Sequence, residues 1–135
     1  MSFTPYLTFN GQCREAMQHY ADCFGGQIDV MDDFSKMPSG DGSREPANRA
    51  HILHARLRLR DTVLMASDTF DAKMAMDYSG FSISVGFDDM GAAQAAFDKI
   101  SADGLVTMPF APSFWAKGFG MARCKYGVGW MINCE

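Results

Sequence analysis

The first half of the chain carries a pattern of apolar and polar positions that predicts a strand, a helix and three more strands. Apolar residues alternate where strands are expected and recur at helical spacing where the helix is expected. Gly25-Gly26 is a strong helix stop, and the polar, glycine- and proline-containing stretch 35–50 is typical of a long loop that could act as a lid. The predicted elements are strand 3–9, helix 12–24 and strands 27–34, 51–60 and 63–68.

The second half repeats this order of elements. Asp88-Asp89 supplies a helix N-cap, Pro109 is expected to end the short third-from-last strand, and Tyr126-Gly127 predicts a hairpin turn. The predicted elements are strand 81–87, a helix to about 102, and strands 105–108, 119–125 and 128–134. Short similarities support a duplicated βαβββ module, because 54–58 aligns with 121–125 and places Arg56 and Arg123 at equivalent positions.

Composition and charge exclude several classes of protein. The 135 residues amount to one domain, and 47% apolar with 21% charged residues is typical of a globular chain. A net charge of −4 without a basic run argues against nucleic acid and anionic membranes as partners. The first residues lack the features of a secretory signal, so the cytoplasm is the expected location, with the four cysteines reduced and mostly buried.

Motifs spread over nearly the whole chain resemble the PhnB-like branch of the vicinal oxygen chelate superfamily, which includes glyoxalase, bleomycin-resistance proteins and extradiol dioxygenases. The motifs that carry the resemblance are Pro5-Tyr6-Leu7, Phe9-Asn10-Gly11, Glu15-Ala16, Phe24-Gly25-Gly26, His54-Ala55-Arg56-Leu57, Met65-Ala66-Ser67-Asp68, Phe81-Ser82, Phe114-Trp115, Gly118-Phe119-Gly120-Met121, Gly127-Val128 and Trp130-Met131-Ile132-Asn133.

The resemblance implies an α+β fold of the glyoxalase/bleomycin-resistance type. In that fold two βαβββ modules form a cupped eight-stranded mixed sheet with the helices outside. It also implies a single domain over 1–135, with module one at about 1–70 and module two at about 78–135, and a homodimer.

Members of this branch often carry a name that links them to demethylubiquinone methyltransferase. A classical methyltransferase needs a glycine-rich turn between a strand and a helix, where the cofactor approaches the backbone. Here Gly40 and Gly42 lie in a loop that no helix follows, and Gly118 and Gly120 begin a strand. The residues therefore do not support that chemistry.

Metal-dependent relatives, by resemblance, place one ligand near the start of each module's first strand and one on each module's last strand. Because side chains alternate between the two faces of a strand, the corresponding inward-facing positions in this sequence are Thr4, Met65, Ser82 and Met131. Threonine, serine and methionine are poor ligands for a hard or borderline divalent ion. The sequence therefore predicts that the usual metal site is lost and that no metal or other cofactor is bound.

Several side chains are candidates for a site inside the cup. His54 lies on the polar face of its strand and could act as a general base or ligand donor, or be a structural histidine. Arg56 and Arg123 could bind a carboxylate or phosphonate, or belong to a solvated face, and Asp68 could pair with either. The ligand-binding set is Tyr6, His54, Arg56, Met65, Trp115, Phe119, Arg123 and Met131.

Three functions remain open from the sequence. The first is a metal-free protein that binds a small molecule between apolar and aromatic walls. The second is a lyase, isomerase or dioxygenase with a displaced metal site or with acid–base catalysis by His54. The third is a structural or regulatory dimer whose cup is filled by its own side chains.

Overall fold

A computed structural model of the protein describes residues 1–38, 46 and 48–135. It confirms the α+β class and the two βαβββ modules, with the eight strands divided between two four-stranded sheets. The elements are β1 (Tyr6–Phe9), α1 (Cys13–Phe24), β2 (Gln27–Asp33), β3 (Ile52–Leu59), β4 (Thr62–Asp68), β5 (Ile83–Phe87), α2 (Met90–Ser101), β6 (Leu105–Ala111), β7 (Gly118–Arg123) and β8 (Gly129–Cys134). Neither helix is long and apolar enough to cross a membrane, nor is any other helix among these described residues.

The first compact unit, Met1–Met76, contains the sheet β1-β4-β3-β2 with α1 packed on one face. β1 and β4 are parallel, and the other neighbours are antiparallel. Alternation places one set of strand side chains in the core with the apolar stripe of α1. The fully buried large side chains of this core include Leu7, Phe9, Met17 and Tyr20.

Asp68 ends β4 with its carboxylate inside this core, where it is only 3% exposed. Its Oδ1 accepts hydrogen bonds from the backbone N–H groups of Gly11 at 2.8 Å and Cys13 at 3.1 Å, and its Oδ2 accepts one from Ile52 at 2.8 Å. The expected pairing of Asp68 with an arginine is therefore wrong. The carboxylate faces the helix side of the sheet, where backbone donors satisfy it.

The second compact unit, Asp77–Glu135, contains the sheet β5-β8-β7-β6 with α2 packed on one face. The predicted N-cap is confirmed, because the Asp89 side chain accepts a hydrogen bond from the backbone N–H of Ala92 at 2.8 Å. Gly120 lets α2 and β6 approach β7 closely. A Cβ there would lie 2.9 Å from a ring carbon of Phe97 and 2.9 Å from Cα of Phe110.

One sequence-based expectation for the strands is corrected. Pro109 does not end β6, which continues to Ala111. Because β6 is an edge strand, a residue whose backbone nitrogen faces away from β7 needs no N–H group. Two register shifts between β6 and β7 accommodate the irregularity. Of the predicted loop 35–50, a short 3₁₀ turn occupies Phe34–Lys36, and residues 39–45 and 47 lie outside the described residues, so the proposed lid is not described.

Candidate functional site

The first sheet has an open face, which we define as the face opposite α1 that carries Tyr6, His54, Arg56 and Met65. The strand register places Tyr6 opposite Met65 on one side and Arg56 opposite Met65 on the other. His54 lies two residues before Arg56 and therefore about 7 Å along the same face. The structure thus brings the four predicted residues of this unit together on one surface.

Tyr6 and His54 form a pair across β4. The Tyr6 hydroxyl lies 3.4 Å from Nδ1 of His54, and the two rings stack at 24° with centroids 6.0 Å apart. Which partner donates depends on the tautomer of the imidazole. His54 makes no hydrogen bond through Nε2 with any residue the structure describes, so that nitrogen remains available to a ligand.

The other charged side chains around this face are paired within the protein. Arg58 Nε donates to Asp29 Oδ2 at 2.9 Å, and this bond with Arg58 holds the pKa of the Asp29 carboxyl below its usual value. Asp32, which lies opposite His54, accepts a bond from Lys36 Nζ at 2.7 Å.

Arg56 differs from these groups. It is half-buried, it adds to the lowered pKa of Asp29 through its charge, and it makes no hydrogen bond with any of the described residues. The open face of the first sheet therefore holds a guanidinium whose donors are not satisfied by any residue that the structure describes.

The second sheet has its own open face, opposite α2, which carries Phe119, Met121, Arg123, Met131 and Asn133. Met121 lies opposite Met131, and Phe119 lies opposite Asn133. Three of the predicted residues of this unit thus share one surface. Trp115, which precedes β7, packs edge-on against Phe119 with ring centroids 5.2 Å apart while remaining 52% exposed.

Arg123 is hydrogen-bonded within the β7–β8 hairpin, because its Nη1 donates to the carbonyl oxygen of Gly127 at 2.8 Å. It lies opposite Gly129, just as Arg58 lies opposite Val63, whereas Arg56 lies opposite Met65. Met65 of β4 and Met131 of β8 occupy equivalent positions in the two modules. The strand pairings therefore make Arg123 the counterpart of Arg58. The short sequence alignment that paired Arg123 with Arg56 was two residues out of register. A shift of two residues keeps the side chain on the same face of the sheet but places it opposite a different residue.

Asn133 was not among the predicted residues. Its Oδ1 is buried and has no hydrogen-bond partner in the described part of the chain. Its position two residues after Met131 on the same strand was the available signal, because alternation puts both side chains on one face.

The four positions to which the resemblance assigns metal ligands are Thr4, Met65, Ser82 and Met131. Met65 and Met131 lie on the two open faces, and Thr4 and Ser82 are exposed just before β1 and β5. Thioether and hydroxyl donors do not fit a catalytic zinc or iron centre. Among the described residues, no group of three or more histidine, cysteine, aspartate and glutamate side chains is arranged to hold a metal ion.

The remaining histidines lie away from these faces. His19 is on α1, with its Nε2 3.6 Å from Sγ of Cys23. The ring of His51 contacts Gly11, whose φ of +87° and close approach both favour glycine. All four cysteines are buried in reduced form, and burial raises the pKa of the Cys13 thiol above its ordinary value, with the nearby Asp68 charge adding to the effect.

Comparison with known proteins places this architecture in a family. The family model described as 3-demethylubiquinone-9 3-methyltransferase matches residues 1–133. Protein YjdN of Escherichia coli strain K12 is 34% identical, over 98% of this chain and 95% of its own length. The crystal structure of protein PA1353 from Pseudomonas aeruginosa is 40% identical and superposes with a TM-score of 0.89, covering 100% of this chain and 98% of that one.

More distant structures show the fold. The putative 3-demethylubiquinone-9 3-methyltransferase, PhnB protein, from Bacillus cereus is 24% identical with a TM-score of 0.83, and each chain is covered in full, at 100%. The bleomycin-binding protein from Streptomyces verticillus, solved with copper(II)-bleomycin, is 16% identical with a TM-score of 0.58 over 100% of this chain and 96% of that one. The chain therefore belongs to the PhnB-like family, described as 3-demethylubiquinone-9 3-methyltransferase, and has the glyoxalase/bleomycin-resistance fold.

Proposed function

We propose that this protein binds a small organic molecule and does so without a metal ion. The observation that carries the proposal is the group Tyr6, His54, Arg56 and Met65 on the open face of the first sheet. There, a half-buried guanidinium and an imidazole nitrogen have no protein partner among the described residues, beside an apolar thioether.

Half-buried polar groups without partners lose part of their hydration and gain no compensating hydrogen bond from the protein. A ligand that supplies those bonds recovers the lost free energy, which is why specific sites combine apolar walls with a few convergent polar groups. Separately, on the open face of the second sheet, the buried Oδ1 of Asn133 also lacks a hydrogen-bond partner among the described residues.

The open face of the second sheet, taken by itself, is mostly apolar. Trp115 and Phe119 form an aromatic pair, and the flexible, polarisable side chains of Met121 and Met131 lie opposite one another. Methionine and aromatic side chains adapt to ligands of irregular shape. A bleomycin-binding protein of the same fold, named for the ligand it holds, supports binding as a function of this architecture.

Methyl transfer, which the family description names, has less support from the residues. The strand-to-helix connections are Asn10-Gly11-Gln12 and Asp88-Asp89, and neither has the series of glycines with which a classical methyltransferase approaches its cofactor. The proposed function is therefore ligand binding.

The proposal is tested by screening small organic molecules against ¹⁵N-labelled protein and recording which backbone amides shift. A true ligand shifts amides of β1, β3 and β4. His54→Ala is expected to weaken it by about tenfold, because it removes a polar contact worth about 1–2 kcal/mol, while the spectrum stays folded. Normal binding by His54→Ala would show that the site lies elsewhere.

A second candidate function is acid–base catalysis by His54. When the Nδ1–H group of His54 donates to the Tyr6 hydroxyl, Nε2 carries no proton and can act as a general base toward a ligand. Incubating any ligand found in the screen and following it by mass spectrometry tests this function. Conversion that His54→Gln abolishes, with binding retained, would establish an enzyme, and an unchanged ligand would leave a binding protein.

A further inference from the structure

Among the described residues, the charged side chains of the open face of the first sheet are paired except at one group. Asp29 accepts two hydrogen bonds from Arg58, at 2.9 and 3.4 Å, and Asp32 accepts one from Lys36 at 2.7 Å. Arg56 interacts with the charge of Asp29 but makes no hydrogen bond or ion pair with any described residue. In the described part of the chain, Arg56 is thus the cation of this face that has no ion-pair partner.

The donors on this face are of the kinds that bind an oxyanion. A guanidinium presents parallel N–H groups that match the two oxygens of a carboxylate, and such charge-assisted bonds are stronger where water is partly excluded. When the Tyr6 hydroxyl donates to Nδ1 of His54, the proton of the imidazole lies on Nε2, which adds a second donor on the same face. The ring of Tyr6 and the Met65 side chain provide apolar surface beside these donors.

From this charge balance we propose that the first sheet selects small organic monocarboxylates, with Arg56 binding the carboxylate and the Tyr6 ring and Met65 contacting the apolar body. This inference rests on the proposed binding function and adds the chemical class of the ligand. A neutral analogue of the same shape fills the apolar contacts but leaves the guanidinium without an anion. A carboxylate therefore binds more tightly than its amide.

Benzoate and benzamide are matched probes, because they share shape and size and differ in charge. At about 0.3 kcal/mol per non-hydrogen atom, benzoate is expected to bind with a Kd on the order of 10 mM, which amide shifts measure directly. The full chain is titrated with each probe. We expect benzoate to shift amides of β1, β3 and β4 and to bind about tenfold more tightly than benzamide.

Variants separate the role of Arg56 from general effects of charge. Arg56→Gln is expected to weaken benzoate about tenfold and leave benzamide unchanged. Arg60→Gln, which removes the same charge from an exposed position at the β3–β4 turn, leaves both probes within about twofold. Asp29→Asn releases Arg58 and is expected to tighten benzoate by roughly twofold or more, because the face becomes more positive.

The outcomes distinguish the inference from the function on which it rests. Equal affinity for benzoate and benzamide, or a loss of both in Arg56→Gln, would overturn the carboxylate selectivity and leave a binding face of another chemistry. No shift in β1, β3 or β4 with either probe would overturn the binding proposal itself.

Discussion

At the scale of single residues, Asp68 and Asp89 each accept hydrogen bonds from backbone N–H groups near the start of a helix, Asp68 at α1 and Asp89 at α2. α1 begins at Cys13, and the side chain of its N-cap residue, Gln12, makes no capping bond. Asp68, at the end of β4, instead accepts hydrogen bonds from the backbone N–H groups of Gly11 and Cys13, on either side of that N-cap. In the second unit the matching ladder position, opposite Phe87, is Cys134, and Asp89 caps α2 from within the chain segment. The sequence did not indicate that Asp68 replaces a local N-cap at α1, because a carboxylate at the end of a strand is normally interpreted as exposed.

The Asp68 network predicts a large loss of stability on mutation. Asp68→Ala leaves up to three backbone N–H groups without their acceptor, which costs about 3 kcal/mol or more of unfolding free energy. Asp89→Asn is the matched control, since asparagine caps a helix about as well as aspartate and should cost less than about 0.5 kcal/mol. Urea unfolding followed by circular dichroism measures both. Comparable stability of the two variants would contradict the network.

The raised pKa of Cys13 predicts how stability depends on alkaline pH. A thiol whose pKa is higher in the folded state contributes stability below its ordinary pKa and loses that contribution as the pH rises above it. Unfolding free energy should therefore fall from about pH 9 upward, and Cys13→Ala should fall less steeply than the parent over the same range. Parallel curves for the two proteins would refute the prediction.

At the scale of elements, alternation was enough to place most strands, because one face of each sheet is buried under a helix. It failed at β6, where nearly every side chain is exposed and the edge position tolerates Pro109. The sequence also failed to align the β7–β8 hairpin correctly with the β3–β4 hairpin. The short sequence similarity determines on which face Arg123 lies, but not which residue lies opposite it. Register depends on contacts between strands, which a single sequence does not display.

The close packing of α2 and β6 on β7 predicts an asymmetric response to added methyl groups. Gly120→Ala forces a Cβ to within 2.9 Å of neighbouring carbon atoms and should cost about 1–3 kcal/mol. Gly86→Ala meets no atom within 4 Å and should leave stability within about 0.5 kcal/mol or raise it. Thermal unfolding of both variants measures the contrast, and equal destabilisation would contradict the packing.

At the scale of the whole molecule, the sequence placed the candidate residues on the correct faces and left their partners undetermined. Parity grouped Tyr6, His54, Arg56 and Met65, but the bond between Tyr6 and His54 depends on which side chains meet across β4. The uncompensated charge of Arg56 likewise depends on which cation Asp29 selects. The single-domain organisation, the homodimer and the cytoplasmic location expected from the sequence stay predictions.

The proposed binding of a ligand without a metal ion is tested by elemental mass spectrometry on untagged protein purified without chelator, then incubated with zinc, nickel, manganese and ferrous iron and desalted. Because thioether and hydroxyl groups stand at the positions to which the resemblance assigns metal ligands, we expect far less than one equivalent of each ion. A stoichiometric ion that His54→Ala removes would refute metal-free binding.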